Sequence, residues 1–309
     1  MEAVSNKKSL TNSIRQLALE LGFQKVGIAR AESSPDDGAR LENWLRLGYH
    51  ATMDWMVSRK DERAHIKSYF PEAKSVVCVA MNYYHGEPEG DMKISNYAWG
   101  DDYHELLKNR LRQLLQIVQE LQPDVQGIAC VDTSPVMEKA WAQRAGLGWI
   151  GKHTNLISRD YGSWLFLGEL ILDCELEMDQ PFEDDLCGTC TACIDACPTH
   201  AIVDDYLLDS NRCISYLSIE HRGDLPEQYS DDLHGWIYGC DICQQVCPWN
   251  EKFSVQSKEA TFAPRKEIVE RTEESWRYLS EEDFKNIFKG SAVKRAKFEG
   301  FTRNIEANS

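Results

Sequence analysis

The stretch that decides the fold is Cys187–Pro198, CGTCTACIDACP, which is echoed by Cys240–Pro248, CDICQQVCP. Eight of the eleven cysteines lie between Cys187 and Cys247, and the first four follow the spacing C-x2-C-x2-C-x3-C-P. This spacing lets one tight loop place three thiolates at the corners of a [4Fe–4S] cube, and the proline turns the chain away after the fourth cysteine. We therefore predict an iron–sulfur module.

The second run lacks one cysteine at the usual spacing, and Cys213 is the remaining nearby candidate. In the crossed pattern of bacterial two-cluster ferredoxins, each loop lends a ligand to the cluster of the other. Two tetrahedral zinc sites or redox-active thiols are alternatives, but neither explains the spacing of all eight cysteines. The crossed pattern predicts one ligand set of Cys187, Cys190, Cys193 and Cys247, and a second of Cys197, Cys213, Cys240 and Cys243.

The 309 residues carry a formal net charge of −16, which argues against a surface that attracts nucleic acid everywhere. The stretch from Lys285 to Arg303 departs from this balance, with six basic residues against Glu299 alone. We interpret it as a solvated helix surface or as a local basic face. The sequence has no run of about 18 apolar residues and no secretory signal, so we expect a cytoplasmic protein that does not contact membranes.

Residues 1 to about 180 alternate between strand and helix patterns, which predicts an α/β (α+β) fold with helices packed on a sheet. Apolar spacing predicts a helix from Leu10 to Leu21, and Ser75–Tyr84 reads as a strand. Ser134 is predicted to cap a further helix, with Pro135 at its first position. After Cys247 the chain becomes charged and helical.

The segment GLGWIG at residues 146–151 spells G-x-G-x-x-G, but it follows a predicted helix, whereas a dinucleotide fingerprint must follow a strand. His153 stands where a phosphate loop needs Ser or Thr. We therefore reject both nucleotide motifs. GWIGKHTN is interpreted as a glycine-rich loop that approaches a ligand closely, or as a plain connection.

Asp132 is the carboxylate that we single out, because it ends an apolar strand just before a predicted helix. Open α/β sheets present residues to ligands at such places, although turn formation or helix capping is an alternative role. A nearby helix N-terminus favours the ionised carboxylate, whereas a proton donor needs a raised pKa. A donor role would therefore require desolvation by a bulky ligand.

Four segments together resemble the epoxyqueuosine reductase family, the cobalamin-dependent iron–sulfur enzymes that complete queuosine in tRNA. They are VDTSPVMEKAWAQRAGLGWIGKHTNLI, CGTCTACIDACPTHAI, RCISYLSIEHRG and YGCDICQQVCPWN. The resemblance covers roughly residues 10–304. It implies a nitroreductase-like cobalamin and substrate domain over 1–180, related to that of reductive dehalogenases, then a two-cluster ferredoxin-like module over 181–252 and a helical segment over 253–309.

The resemblance implies a two-electron reduction of epoxyqueuosine at the tRNA wobble position to queuosine, with loss of water and with electrons passing through the clusters to cobalamin. Asp132 matches the proposed proton donor of the family. DLHGWI, from Asp232, lacks the last glycine of the motif D-x-H-x-x-G, so cobalamin is expected base-off, without a protein ligand to cobalt. Contacts to cobalamin are expected from Ser95, Tyr97, His104, Asp132, His153, Thr154 and Asn155.

Longer family members continue into a C-terminal helical-repeat domain, whereas this sequence ends soon after FTRNIEA. We therefore expect the basic stretch to contact phosphates of the tRNA anticodon arm. The other expected partner is an external reductant such as flavodoxin or ferredoxin, and the protein is expected to be a monomer. The alternative functions are a ferredoxin-type electron-transfer protein and a dehalogenase-like enzyme acting on a small molecule.

Overall fold

The computed structural model describes residues 2–308, with side chains from Lys7 onward. Its strands are β1 Lys25–Arg30, β2 Ser75–Asn82, β3 Lys93–Ile94, β4 Gly127–Cys130, β5 Trp149–Ile150, β6 Leu156–Ile157, β7 Leu165–Leu172, β8 Ile202–Asp204, β9 Leu207–Leu208 and β10 Trp236–Tyr238. Its α-helices are α1 Glu2–Glu20, α2 Pro35–Arg46, α3 Asp54–Ser58, α4 Lys60–Ala64, α5 Ile66–Tyr69, α6 Tyr103–Leu121, α7 Glu138–Arg144, α8 Ala192–Asp195, α9 Ile214–Ile219, α10 Ile242–Gln245, α11 Pro248–Phe253, α12 Lys266–Val269, α13 Glu273–Arg277, α14 Glu281–Ile287 and α15 Lys297–Glu306.

The main sheet has the strand order β1-β2-β7-β4, and every neighbouring pair is antiparallel. All eight residues of β2 are buried, because apolar clusters cover both faces of the sheet. The predicted combination of a sheet with packed helices is confirmed. The four strands are antiparallel, however, so the rule that open α/β sheets present residues to ligands at strand ends does not apply to Asp132 here.

Helix α6 covers one face of the sheet, and its N-terminal end carries two residues of the candidate site, Asp102 and His104. Its buried residues, Leu107, Leu111, Leu114 and Val118, form an apolar stripe at helical spacing. The helix begins after Asp102, whose carboxylate accepts the backbone N–H of His104.

Helix α7 covers the other face and begins at Glu138, so the predicted start at Ser134 is wrong. The preceding residues form a turn in which Asp132 has a φ of 51° and the N–H of Val136 bonds to the carbonyl of Ser134. Pro135 disfavours helical backbone at the residue before it. The helix therefore starts only once the turn is complete.

The cysteine region and the C-terminal helices pack against the sheet region through a shared core. Strand β10 pairs in parallel with β3, and Trp99 packs in one cluster with Trp276 and Phe301. The side chain of Asn304 in α15 donates to the carbonyls of Ser218 and Ile237. Within residues 2–308, every helix is too short or too polar to cross a membrane.

Candidate active site

The eight motif cysteines fall into two groups in which most thiols act on one another, although the charge of Cys193 also acts on Cys243. Burial and the charges of Cys247, Cys187 and Cys190 raise the pKa of Cys193 to about 11. Burial also raises the pKa of Cys247, with further contributions from Cys187 and Cys190. We name these four the outer group, because it includes the exposed Cys190.

The inner group consists of Cys197, Cys213, Cys240 and Cys243. Burial and the charge of Cys197 raise the pKa of Cys213, while burial with the charges of Cys243 and Cys213 raises the pKa of Cys240. Within residues 2–308, no three His, Cys, Asp or Glu side chains are spaced to hold a single metal ion. A [4Fe–4S] cube takes its thiolates at separate corners. Each group combines thiols from both cysteine runs.

Apolar side chains surround both groups. Near the outer group, the ring of Trp149 lies 5.4 Å from that of Phe182 and 4.8 Å from that of Trp249. Near the inner group, Leu217 and Trp236 are almost fully buried. Such a shell limits the access of water to the sulfur atoms.

Asp241, within the second cysteine run, ties that run to the sheet region. Its carboxylate accepts the hydroxyl of Ser95 at 2.5 Å and the backbone N–H of Asn96 at 2.7 Å. The hydroxyl of Tyr97 donates to that of Tyr238 at 3.1 Å. Two predicted cofactor residues, Ser95 and Tyr97, thus have their polar atoms engaged within the protein.

Asp132 lies in the turn after β4, with 54% of its side chain exposed. Its Oδ2 lies 3.0 Å from Nε2 of His104, and its backbone N–H donates to Oε1 of Glu138 at 2.6 Å. The other ring nitrogen of His104, Nδ1, lies 2.6 Å from Oδ1 of Asp102. The positive φ of Asp132 is a conformation that non-glycine residues seldom adopt, so the turn is strained. The hydrogen bond to Glu138 holds the turn, and with it the carboxylate, in this conformation.

The charges at this turn are distributed unevenly. Burial opposes ionisation of Asp132, but hydrogen bonds from His104 and Tyr103 and the charge of His104 lower its pKa overall. Burial opposes protonation of His104, but the hydrogen bonds to Asp102 and Asp132 raise its pKa to about 9. Burial and the charge of Asp132 raise the pKa of Glu138 to about 8. At neutral pH the labile proton therefore lies on His104 and not on Asp132.

Lys139 links this turn to the cysteines and to the glycine-rich loop. Desolvation is the main cause that lowers its pKa, although the residue is exposed to solvent. The charges of Asp132, Cys243 and Cys213 all act on it. Its Nζ donates to Oδ1 of Asn155 at 3.0 Å. Lys139 therefore lies close to Asp132, to the inner cysteine group and to the loop of Asn155, and we call the space between these three features the cleft.

His153 in that loop is buried and neutral. Burial and the charge of Lys139 lower its pKa to about 4. Its Nδ1 accepts the N–H of Asn155 at 3.2 Å, and a neutral imidazole that accepts at Nδ1 carries its proton on Nε2. Within the part of the chain that the structure describes, this buried Nε2 has no hydrogen-bond partner. His153 thus presents an unsatisfied N–H donor.

The basic stretch does not act as one surface. The charge of Lys294 acts on Asp102, and that of Arg295 acts on Asp132, so both lie at the rim of the cleft. Arg303 instead turns inward and donates to three backbone carbonyls, of Leu217, His221 and Gly223. The expectation of phosphate contacts therefore applies to the first part of the stretch and not to Arg303.

Sequence reasoning missed several residues of this site. Asp102 had a usable signal, because an Asp before a helical pattern is a preferred N-cap. No sequence signal identifies the other three residues, because an acidic or basic residue in a short helix or loop resembles any solvated residue. They are Glu138, Lys139 and Asp241. Only the tertiary contacts reveal them.

Two family models match the chain. Residues 63–133 match the model described as "Epoxyqueuosine reductase QueG, DUF1730", and residues 186–250 match that described as "4Fe-4S double cluster binding domain". Curated relatives named epoxyqueuosine reductase extend over nearly the whole chain. The relative from Cellulophaga algicola is 42% identical over 305 residues, which cover 98% of this chain and 99% of the relative. The relative from Synechocystis is 46% identical over 291 residues, with coverage of 92% and 99%.

Solved structures extend the similarity to the fold. An epoxyqueuosine reductase crystallised with an epoxyqueuosine-modified stem loop of tRNA-Tyr is 29% identical and has a TM-score of 0.86, with 96% of this chain and 80% of that chain covered. The Bacillus subtilis epoxyqueuosine reductase, solved with its catalytic aspartate loop swung out of the active site, is 28% identical and has a TM-score of 0.87, with the same coverage.

Proposed function

This chain belongs to the epoxyqueuosine reductase family, and we propose that it reduces the epoxide of epoxyqueuosine in tRNA to the alkene of queuosine. One observation carries the proposal: a half-exposed carboxylate, Asp132, and the inner cysteine group border the same cleft, where Lys139 is subject to the charges of both. One side of the cleft can supply protons and the other electrons. Reduction of an epoxide with loss of water requires both.

The two cysteine groups are proposed to hold two [4Fe–4S] clusters, with the outer and inner groups as their ligand sets. The match of residues 186–250 to a double-cluster domain and the combination of both cysteine runs in each group support these sets. Within this proposal, residues 181–252 form the cluster module, residues 1–180 the nitroreductase-like cofactor and substrate domain, and residues 253–309 a helical segment.

The residues around the cleft fit a cobalamin. Its corrin carries peripheral carboxamides, and the unsatisfied N–H of His153 is a donor suited to such an oxygen. Because Nε2 carries the proton, it is not free to bind cobalt, which supports base-off binding without a protein ligand. When bound, cobalamin supplies a strongly reducing, nucleophilic metal centre. The proposed contacts are Tyr97, His104, Asp132, His153, Thr154 and Asn155, with Ser95 placing its loop through Asp241.

Asp132 is proposed to deliver a proton to the epoxide oxygen. A ligand that covers the half-exposed carboxylate removes water from it and raises its pKa, which answers the need for desolvation. The Bacillus subtilis relative shows that a catalytic aspartate loop can leave the active site. We propose that the strained turn at Asp132 gives this chain the same freedom, with Glu138 as the residue that holds the turn in place.

The substrate is proposed to be epoxyqueuosine within tRNA, bound at the rim that carries Lys294 and Arg295, with Lys297 following them in the sequence. Cations there would neutralise backbone phosphates. Arg295 is also paired with Glu220 at 2.7 Å and lies over the ring of the exposed Trp55. A tRNA substrate places the enzyme in the cytoplasm, where a flavodoxin or ferredoxin is the proposed reductant and the protein acts as a monomer.

The test is conversion of an epoxyqueuosine-containing tRNA stem loop by the holoenzyme with a low-potential chemical reductant, followed by nucleoside mass spectrometry. Wild type should form queuosine. Asp132→Asn should lower turnover by about 10²- to 10⁴-fold while retaining cobalamin and iron absorbance. The exposed Asp124→Asn is the matched control and should behave as wild type. Absence of conversion by a wild-type protein with both cofactors bound would contradict the function, and failure to retain cobalamin would indicate an electron carrier.

A further inference from the structure

Three side chains form a continuous hydrogen-bonded row at the edge of the cleft. His104 lies in the middle, with Nδ1 2.6 Å from Asp102 and Nε2 3.0 Å from Asp132. The carboxylate of Asp132 is the most exposed of the three, with 54% of its side chain exposed against 28% for His104 and 29% for Asp102. Asp132 is therefore the member of the row that a substrate would reach first.

The imidazole cannot rotate freely in this row. Asp102 accepts both the backbone N–H and the ring Nδ1 of His104, so one carboxylate fixes the residue at two points. The ring of Tyr103 stacks on the imidazole at 4.1 Å and on Phe166 at 4.0 Å. These contacts hold Nε2 against Asp132, and a proton on Nε2 has one acceptor within reach.

The charged groups around His104 come from every element that packs near it. Asp102 precedes α6 and Asp132 follows β4, and both carboxylates favour the imidazolium. Glu138, which begins α7, has its own pKa raised to about 8. The opposing cations at the rim, Lys294 and Arg295, act on Asp102 and Asp132. The acidic groups outweigh burial, since the pKa of His104 is raised to about 9.

We propose that His104 stores the proton that Asp132 delivers, with Asp102 holding the imidazole in place. This inference rests on the proposed function. The Nε2 proton of His104 passes to Oδ2 of Asp132, and Asp132 passes it to the epoxide oxygen as the first C–O bond breaks. His104 then takes a proton from solvent, and a second transfer by the same route releases the oxygen as water when the second C–O bond breaks and the C=C bond forms.

The balance of the reaction requires two protons and two electrons for each epoxide. The electrons come from a one-electron protein donor through the cysteine module, as in the proposed function. Both protons come through His104, which is recharged from water. Because His104 acts through Asp132, it is a positioning and storage residue and does not itself touch the substrate.

Asp102→Asn tests the proposal, because Asn is as good an N-cap as Asp but carries no charge. Loss of the carboxylate lowers the pKa of His104. The fall of kcat on the alkaline side should therefore move from about pH 9 to lower pH by about one unit. At a pH above this fall, kcat should be about tenfold lower than in wild type. Turnover near pH 6 should change little. Asp101→Asn is the matched control, because that neighbouring carboxylate binds Arg265 instead.

His104→Gln is the second variant, since its amide NH2 can still donate to one of the two carboxylates but cannot store a proton. It should lower kcat by about 10²-fold and abolish the alkaline limb, with KM for the stem loop unchanged. Titration of ¹³C-labelled histidine by NMR in the holoenzyme gives a readout independent of turnover. The His104 resonance, assigned by its loss in His104→Gln, should titrate near pH 9 in wild type and lower in Asp102→Asn.

The storage role is wrong if Asp102→Asn leaves both the alkaline limb of kcat and the NMR midpoint of His104 unchanged, or if His104→Gln keeps full kcat. In either case, conversion of the stem loop by wild type would still support the proposed function. If wild type fails to convert the stem loop at any pH, the proposed function itself is wrong, and the storage role is wrong with it.

Discussion

The electron side of the cleft takes all its cysteines from residues 187–247, whereas the proton side assembles Asp102, His104, Asp132 and Glu138 from three separate elements. On the electron side, loop spacing places the sulfur atoms, and an apolar shell surrounds them. On the proton side, single hydrogen bonds between distant residues place each group. The first side depends on local sequence and the second on tertiary packing.

This difference implies different consequences of substitution. A lost thiolate removes a ligand and with it a whole cofactor. Loss of an acid–base contact should leave the cofactors bound but impair proton transfer, and so lower turnover. The two sides can therefore be separated by measuring iron, cobalamin and turnover on the same variants.

The largest effect is expected on the electron side, from Cys213→Ser. Loss of an inner-group ligand next to the cleft should remove about half of the iron and lower turnover by at least about a hundredfold. Iron analysis and the stem-loop assay measure both. Cys174→Ser is the control, because Cys174 is a partly buried cysteine that lies outside both groups. Full iron content in Cys213→Ser would show that the inner ligand set is wrong.

A smaller effect is expected on the proton side, from Glu138→Ala. This variant removes the acceptor of the Asp132 N–H, a bond of about 1–3 kcal/mol, so the turn is less often in place and kcat should fall about tenfold. Iron and cobalamin should stay bound. Glu138→Gln keeps an acceptor oxygen and should lose less. Equal losses in the two variants would mean that the charge of Glu138, and not its hydrogen bond, is what matters.

The smallest effect is expected at the rim between the two sides, from Lys294→Glu combined with Lys297→Glu. The KM for the stem loop should rise about tenfold at low salt, and the salt dependence should become shallower by about one to two phosphate contacts. Arg295 is left in place because it also acts on Asp132. The control is Lys285→Glu with Lys289→Glu, which makes the same change of charge in α14 and just after it. An unchanged salt slope in the rim variant would exclude this contact.

The fold could be predicted from sequence where the pattern is local. The apolar stripe of α6 and the buried run of β2 identify a helix and a strand without tertiary information. The antiparallel order of the sheet could not be derived, because strand runs separated by helices also suit a parallel sheet. The late start of α7 escaped prediction because Ser134 and Pro135 are good helix starters in isolation.

The site divides in the same way. The cysteine spacing identifies a cluster module by itself, because few other structures need it. Asp132 could be singled out, but neither its strained backbone nor its contact with His104 is visible in the sequence. The resemblance already implied His153 as a cobalamin contact, but its burial and its unsatisfied nitrogen are visible only in the structure.

The bonds of Asp241 to Ser95 and Asn96 have a further consequence for the timing of catalysis. They join the loop between Cys240 and Cys243 to the chain that leads into α6 and His104, and the β3–β10 pair reinforces that junction. In the proposed function, these contacts fix the separation between the inner group and the cleft when the chain folds. Within the proposed function, electron delivery then needs no rearrangement at this junction, whereas the strained turn that carries Asp132 is the part that we propose to move.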